Sequence, residues 1–190
     1  MKAWEDEKRF LAGVEEATRF FAGEANVQHA ANRIAQLLDE NGIPYAITGG
    51  LALNAYGYSR VTVDVDVLLT QEGLHAFRAI HPELTENGVP IDVVLAGEYP
   101  GDGLPKPVAF PDPAMAAVRG ERIALLPLPR TIELKLASGM TAPHRLKDLA
   151  DVIEIIRILR LPAGLAEELD PYVREKYQEL WVAAQAEERE

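Results

Sequence analysis

Apolar residues recur at helical spacing toward the two ends of the chain and at strand spacing in its middle. Trp4, Leu11, Val14 and Phe21, with Phe10 and Phe20 beside them and acids between, predict an amphipathic helix over residues 3–22. Val27, Ala30, Ile34, Leu37 and Leu38 predict a second helix, from a cap at Asn26 to about Glu40, with Asn41-Gly42 as its stop. A short strand, Tyr45 to Thr48, is then broken by Gly49-Gly50, and a short helix from Leu51 to Ala55 ends near Gly57. Val61, Val63, Val65 and Val67 alternate with other residues up to Leu69, the clearest strand pattern in the chain. A helix over Glu72–Ile80 and a strand over Ile91–Leu95 follow.

Residues 97–113 hold three glycines and five prolines, which predicts a loop with one short extended piece near Val108. Arg122–Leu126 predicts a last strand, and helices are expected over Arg130–Ser138, His144–Leu159 and Pro171–Ala186. Pro162 separates the last two helices, and Pro171 after Asp170 suits a first helical turn. Strands and helices interleave in the middle while helices dominate both ends, so the class is α/β or α+β. At 190 residues one compact domain is expected: an N-terminal helix over 1–25, a mixed core over 26–128, and a helical region over 129–190 packed on that core.

Composition narrows the chemistry. With 48% hydrophobic and 26% charged residues the chain can build a core. The absence of cysteine excludes disulfides, thiolate nucleophiles and Cys-ligated metals. A net charge of −11 argues against a protein that coats DNA or RNA. The start Met1-Lys2-Ala3-Trp4-Glu5 opens no apolar segment, and no run of about eighteen apolar residues occurs, so a cytoplasmic protein without membrane association is expected. No Gly-x4-Gly-Lys-Ser/Thr loop is present. His29, His75, His81 and His144 show no ligand spacing, and Ser59 and Ser138 lack a nucleophile-elbow context.

The informative stretch is Thr48-Gly49-Gly50, then thirteen residues, then Asp64-Val65-Asp66-Val67. On a strand Asp64 and Asp66 share one face about 7 Å apart, while Val61 to Leu69 at odd positions can bury themselves on the other. Two carboxylates projecting together repel unless a cation joins them. Oxygen-only ligands suit Mg²⁺, which takes one or two carboxylates, waters and substrate phosphates. Asp92 lies in the otherwise apolar Ile91–Leu95; if that strand neighbours the first, three carboxylates converge. Three are enough for two metals about 3.5–4 Å apart. Gly49-Gly50 lets backbone approach a ligand closely and offers N–H groups to an anion. Taken singly, Asp-x-Asp is usually the solvated face of a strand and Gly-Gly usually a turn; it is the joint order that points to phosphate and metal.

These residues resemble the Gly-Gly/Ser…Asp-x-Asp pattern of the DNA polymerase β-type nucleotidyltransferase superfamily. The string Gly49-Gly50-Leu51-Ala52-Leu53, Tyr56-Gly57 and Arg60-Val61-Thr62-Val63-Asp64-Val65-Asp66 is similar to its small bacterial members, among them the nucleotidyltransferase toxins of abortive-infection type IV systems. Ile132-Glu133-Leu134-Lys135-Leu136 and Arg145-Leu146-Lys147-Asp148-Leu149-Ala150-Asp151-Val152 resemble two downstream motifs, and the likeness covers residues 30–158. It implies a small mixed sheet of the nucleotidyltransferase fold with flanking helices. It also implies Mg²⁺, or Mn²⁺, on Asp64, Asp66 and Asp92, with Asp92 as third carboxylate and base. Gly49, Gly50, Arg60, Thr62, Lys135 and Lys147 would bind the nucleotide, with Asp148 near the acceptor. The third motif departs from the pattern, its lysine standing in a compact Glu-Leu-Lys.

The residues also have a plainer reading. A solvated helix face accounts equally well for Arg145 and Asp151, and Lys135 on an apolar turn reads more readily as a snorkelling lysine. Two functions are therefore carried forward. One is a Mg²⁺-dependent enzyme moving a nucleoside monophosphate from an NTP to a hydroxyl of tRNA, protein or a small molecule. The other is a non-catalytic binding partner, an antitoxin or regulator of the same fold; a homodimer or an antitoxin partner is compatible with either. The charge is uneven: residues 118–162 hold eight Lys or Arg against five acids, a basic stretch able to face a triphosphate.

Overall fold

The computed structural model describes residues 26–186. The helix expected over 3–22 lies outside the described residues.

A six-stranded mixed sheet with helices on both faces forms the core. The first helix, α1, occupies residues 26–40, and Asn26 is already inside it rather than capping it. The helix stops where expected: Asn41 Nδ2 donates to the Leu37 carbonyl at 2.8 Å, and Gly42 takes a φ of +64°. Then follow β1 (Ala46–Ile47), α2 (Gly49–Ala55), β2 (Val65–Leu69), α3 (Gln71–Ile80), β3 (Thr85–Glu86), β4 (Val89–Leu95), α4 (Pro113–Ala116), β5 (Val118–Arg119) and β6 (Ala124–Leu125). The C-terminal helices are α5 (Leu128–Thr141), α6 (Leu146–Leu159) and α7 (Pro171–Ala186), with short 3₁₀ turns at Pro143–Arg145 and Ala163–Glu168. Strand order is β3-β4-β2-β1-β6-β5. The central pair, β2 and β4, is parallel, whereas β1 runs antiparallel to β2.

The period-two pattern decides which residue faces which layer. Val65, Val67 and Leu69 of β2 are buried with Ile34 and Leu38 of α1 and Phe77 of α3. Leu68 faces the opposite way, into a second core with Ile132 and Leu136 of α5, Ile155 and Ile156 of α6 and Tyr177 of α7. Asp66 shares parity with Leu68, so the strand directs it to the α5–α6 side, while Asp64 stands just before the strand begins.

Two expectations fail here. The strand does not begin at residue 61: Val61 is 49% and Val63 68% exposed, and regular pairing starts at Val65. On one side β1 has already turned away at Gly49. On the other, the register Val65↔Ile91 would bring residue 64 beside Pro90, which has no N–H to offer. Near Val108 no strand forms, although Val108 is buried. Instead Gly97 N–H donates to the Phe110 carbonyl at 2.8 Å and Phe110 N–H to the Glu98 carbonyl at 2.9 Å, pinning the proline-rich loop at its neck. Among the described residues no helix is long and apolar enough to cross a membrane.

Candidate active site

Asp66 sits at the centre of the sheet, opposite Asp92 in the β2–β4 register. The two strands are therefore neighbours, as a meeting of three acids requires. Beside them β1 ends, Thr48 N–H donates to the Asp66 carbonyl at 3.0 Å, and the chain turns sharply at Gly49. Gly49 has a φ of +63°, and a Cβ there would lie 1.7 Å from Asp66 Oδ2. The glycine is thus required twice, by backbone conformation and by the carboxylate seated on it. The Gly50 N–H favours the charged form of the same carboxylate, and a Cβ on Gly50 would stand 2.7 Å from the Thr62 side chain.

The environment of Asp66 is unfavourable to its charge. Burial, then the charges of Asp64 and Asp92, push its carboxyl up from 3.8 to about 6, against the opposing pull of Lys135 and the Gly50 N–H. Among the described residues no three acidic or histidine side chains form a ready-made metal cage, and Asp92 is exposed. The donor set nevertheless fits a hard divalent cation. Mg²⁺ is commonly held by one or two carboxylates with the remaining positions left to water and substrate phosphates. Asp64 and Asp66 could supply that pair of all-oxygen donors, and a cation beside Asp66 would offset the charges that oppose its own.

Facing Asp66 across a cavity of about 100 Å³ are α5, α6 and the 3₁₀ turn between them, which contribute Lys135, Ser138, Asp148 and Arg145 to its wall. Lys135 Nζ donates to Asp148 Oδ1 at 2.9 Å and to Asp151 Oδ2 at 2.7 Å. Ser138 Oγ donates to Asp148 Oδ2 at 2.7 Å, and Arg145 Nε donates to Ser138 Oγ at 3.2 Å. Burial pushes the Asp148 carboxyl up, but the charge and hydrogen bond of Lys135, with the Ser138 hydroxyl, outweigh it and hold the group below its ordinary value.

A larger cavity, about 510 Å³, lies beyond Leu134, which lines both. Three of its four acids have local duties. Glu133 accepts from Arg130 Nη1 at 2.6 Å and from the Asp170 N–H at 2.7 Å, while Asp112 and Asp170 cap the starts of α4 and α7. The smaller space is the one that brings Asp66 and the Gly49 turn together with Lys135, Arg145 and Asp148.

With this geometry in view, comparison with solved structures is informative. The solution structure of the antibiotic-resistance factor ANT(2'')-Ia matches 86% of this chain and 98% of its own, with a TM-score of 0.50 and 14% sequence identity. The fold is that of a nucleotidyltransferase. A candidate nucleotidyltransferase from H. pylori matches 88% of this chain and 94% of its own at a TM-score of 0.49 and 15% identity. The crystal structure of ANT(2'')-Ia with adenylyl-2''-tobramycin matches 81% of this chain and 94% of its own at 0.46 and 18%. No protein-family model and no curated relative matches the chain.

On this nucleotidyltransferase fold the sequence candidates separate into groups. Gly49, Asp66, Lys135 and Asp148 line one cavity, joined by Arg145, which a solvated helix face had explained as well. Gly50 and Asp64 bear directly on Asp66. Lys147 is exposed and is not part of the cavity wall. Arg60 and Thr62 are engaged with protein groups, Asp151 at 2.6 Å and Asp64 at 2.9 Å respectively. The buried Asp151 was the residue whose helix spacing alone did not separate it from a solvated face; its three-residue step from Asp148 was the available signal.

The seating of Asp66 makes Gly49→Ala a severe change. A methyl group overlapping Oδ2, added to roughly 1–2 kcal/mol for left-handed backbone, is expected to lower the unfolding free energy by at least about 2 kcal/mol. Gly57→Ala, at a φ of +95° with only the Leu159 side chain nearby, carries the conformational cost without that collision. Thermal unfolding of the two variants side by side checks this: Gly49→Ala is to be the more destabilised.

Proposed function

We propose that this chain is a metal-dependent nucleotidyltransferase that moves a nucleoside monophosphate from an NTP to an acceptor hydroxyl. The observation that carries the reading is the Asp66 carboxylate, seated on the Gly49-Gly50 turn beside Asp64 and Asp92 and facing Lys135. A folded chain that crowds three acids there at a cost to itself is built for a cation that a substrate brings with it.

In this reading Asp64 and Asp66 hold Mg²⁺ or Mn²⁺, with Asp92 as the third carboxylate. Bound there, the cation lowers the charge barrier between the acceptor oxygen and the triphosphate. Gly49 and Gly50 border the phosphates, and Lys135 and Arg145 neutralise charge building on them. The acceptor oxygen bonds to the α-phosphorus as the bond to pyrophosphate breaks, and the hydroxyl proton passes to the Asp92 carboxylate. The protein's share is mainly placement and electrostatics, which suits phosphoryl chemistry. The acceptor is a hydroxyl of tRNA, a protein side chain or a small molecule.

Titration calorimetry with each NTP, with and without Mg²⁺, tests the reading. Binding is expected to require Mg²⁺ and to be lost in Asp64→Ala, with mass spectrometry of added RNA and protein then finding an adduct one nucleoside monophosphate heavier. Tight binding with no adduct would instead identify a non-catalytic binding partner.

A further inference from the structure

Residues 58–64 bring Asp64 close to Asp66 without the supports that ordinarily fix a strand. They join no ladder, and Val61 and Val63 face solvent, so beyond Tyr58, which packs against the second core, neither backbone pairing nor apolar burial holds them. Polar contacts do. The Arg60 N–H donates to Asn54 Oδ1 at 2.8 Å, and Asn54 Nδ2 donates back to the Arg60 carbonyl at 3.0 Å. Arg60 Nη1 donates to Asp151 Oδ2 at 2.6 Å and the Tyr58 hydroxyl to Asp151 Oδ1 at 3.3 Å. Asp151 is only 4% exposed and comes from α6, on the far side of the cavity. Two residues beyond Arg60, the buried Thr62 donates Oγ1 to Asp64 Oδ1 at 2.9 Å while filling the space left by Gly50.

We propose that Arg60, Asp151 and Thr62 are positioning residues that fix Asp64 as a metal ligand, with Arg60 committed to Asp151 and not to the nucleotide. A phosphate that drew Arg60 away would leave a buried carboxylate with Lys135 as its remaining cation, and removing one partner of a buried ion pair is strongly unfavourable. Thr62 orients the Asp64 carboxylate directly, as outer-shell hydrogen bonds orient ligands in metal sites generally. The inference takes its metal from the nucleotidyltransferase reading, but its readout needs no turnover.

The test is Mn²⁺ binding to the full chain without nucleotide, followed by the electron paramagnetic resonance signal of the free ion. Arg60→Gln and Thr62→Val are each expected to raise the Mn²⁺ Kd about tenfold. Arg60→Gln combined with Asp151→Asn is expected to bind no more weakly than Asp151→Asn alone, because Arg60 acts through Asp151, which also holds Tyr58 and Lys135. Should Asp151→Asn fail to fold, Asn54→Ala loosens Arg60 from its other side and is expected to give the same loss. Unchanged Mn²⁺ affinity in Arg60→Gln, with a weakened NTP Kd, makes Arg60 a nucleotide contact and overturns the proposal while leaving the activity reading intact. Normal Mn²⁺ binding in the unmodified chain without NMP transfer overturns the activity reading alone; no Mn²⁺ binding overturns both.

Discussion

Asp66→Asn is expected to make the metal-free protein more stable and to abolish its transfer activity. Asn keeps the shape of the side chain and an oxygen for the Gly50 N–H, while removing a charge that burial, Asp64 and Asp92 all oppose. A carboxyl whose folded-state pKa is raised from 3.8 to about 6 takes up a proton more readily in the folded chain than in the unfolded one. Its contribution therefore favours folding at low pH and is lost as pH rises through that interval. The penalty is fully present above about pH 6 and amounts to about 3 kcal/mol. The variant should gain close to that amount at pH 7 and almost nothing at pH 3, a difference that unfolding in denaturant at the two pH values measures. Added Mg²⁺ should stabilise the unmodified protein more than the variant. Activity moves in the opposite direction: a metal site supplies several kcal/mol to the transition state, and about 1.4 kcal/mol is a factor of ten, so a loss of roughly a hundredfold to a thousandfold or more is expected.

Lys135→Met should have the second largest effect, and it reverses the sign of an acid titration. Lys135 is shared between Asp148 and Asp151 at 2.9 and 2.7 Å, and both carboxylates are largely enclosed. Removing the ammonium leaves Asp148 without its principal cation, and breaking a buried pair in this way typically costs about 3–5 kcal/mol. In the unmodified protein the Asp148 carboxyl is held below its ordinary value despite burial, so its stabilisation is present above that ordinary value and lost as pH falls through the depressed one. In Lys135→Met burial acts with less opposition. The variant should recover part of its lost stability on mild acidification, where the unmodified protein gains nothing from Asp148. Unfolding curves between about pH 3 and 7 check this; an unchanged acid profile would show that Lys135 does not govern Asp148.

How far the sequence foretold these features depended on whether a property is local. The buried half of β2 was readable, because Val65, Val67 and Leu69 meet the helices of one layer at strand period. Val61 and Val63 carry the same pattern and are exposed, since alternation does not say whether a partner strand exists. The acids were visible, but Asp64 stands before the strand begins, and the pairing of Asp66 with Asp92 depends on the β2–β4 register, which no local pattern encodes. Lys135 illustrates the converse. A lysine on an apolar turn suggests a side chain reaching for water, yet α6 covers that side of α5, and its carboxylates receive the ammonium instead. Arg60 and Asp151 stand 91 positions apart, so their contact became legible only once the chain had folded.

The claim that Asp64 and Asp66 serve a metal-assisted transfer is tested most directly with NTPs labelled at the α-phosphate. Each NTP is incubated with Mg²⁺, cell RNA, protein and small molecules, comparing the unmodified chain with Asp64→Ala and Asp66→Ala. The account predicts label on an acceptor together with released pyrophosphate for the unmodified chain, and neither for the two variants. Undiminished transfer by both variants would contradict it.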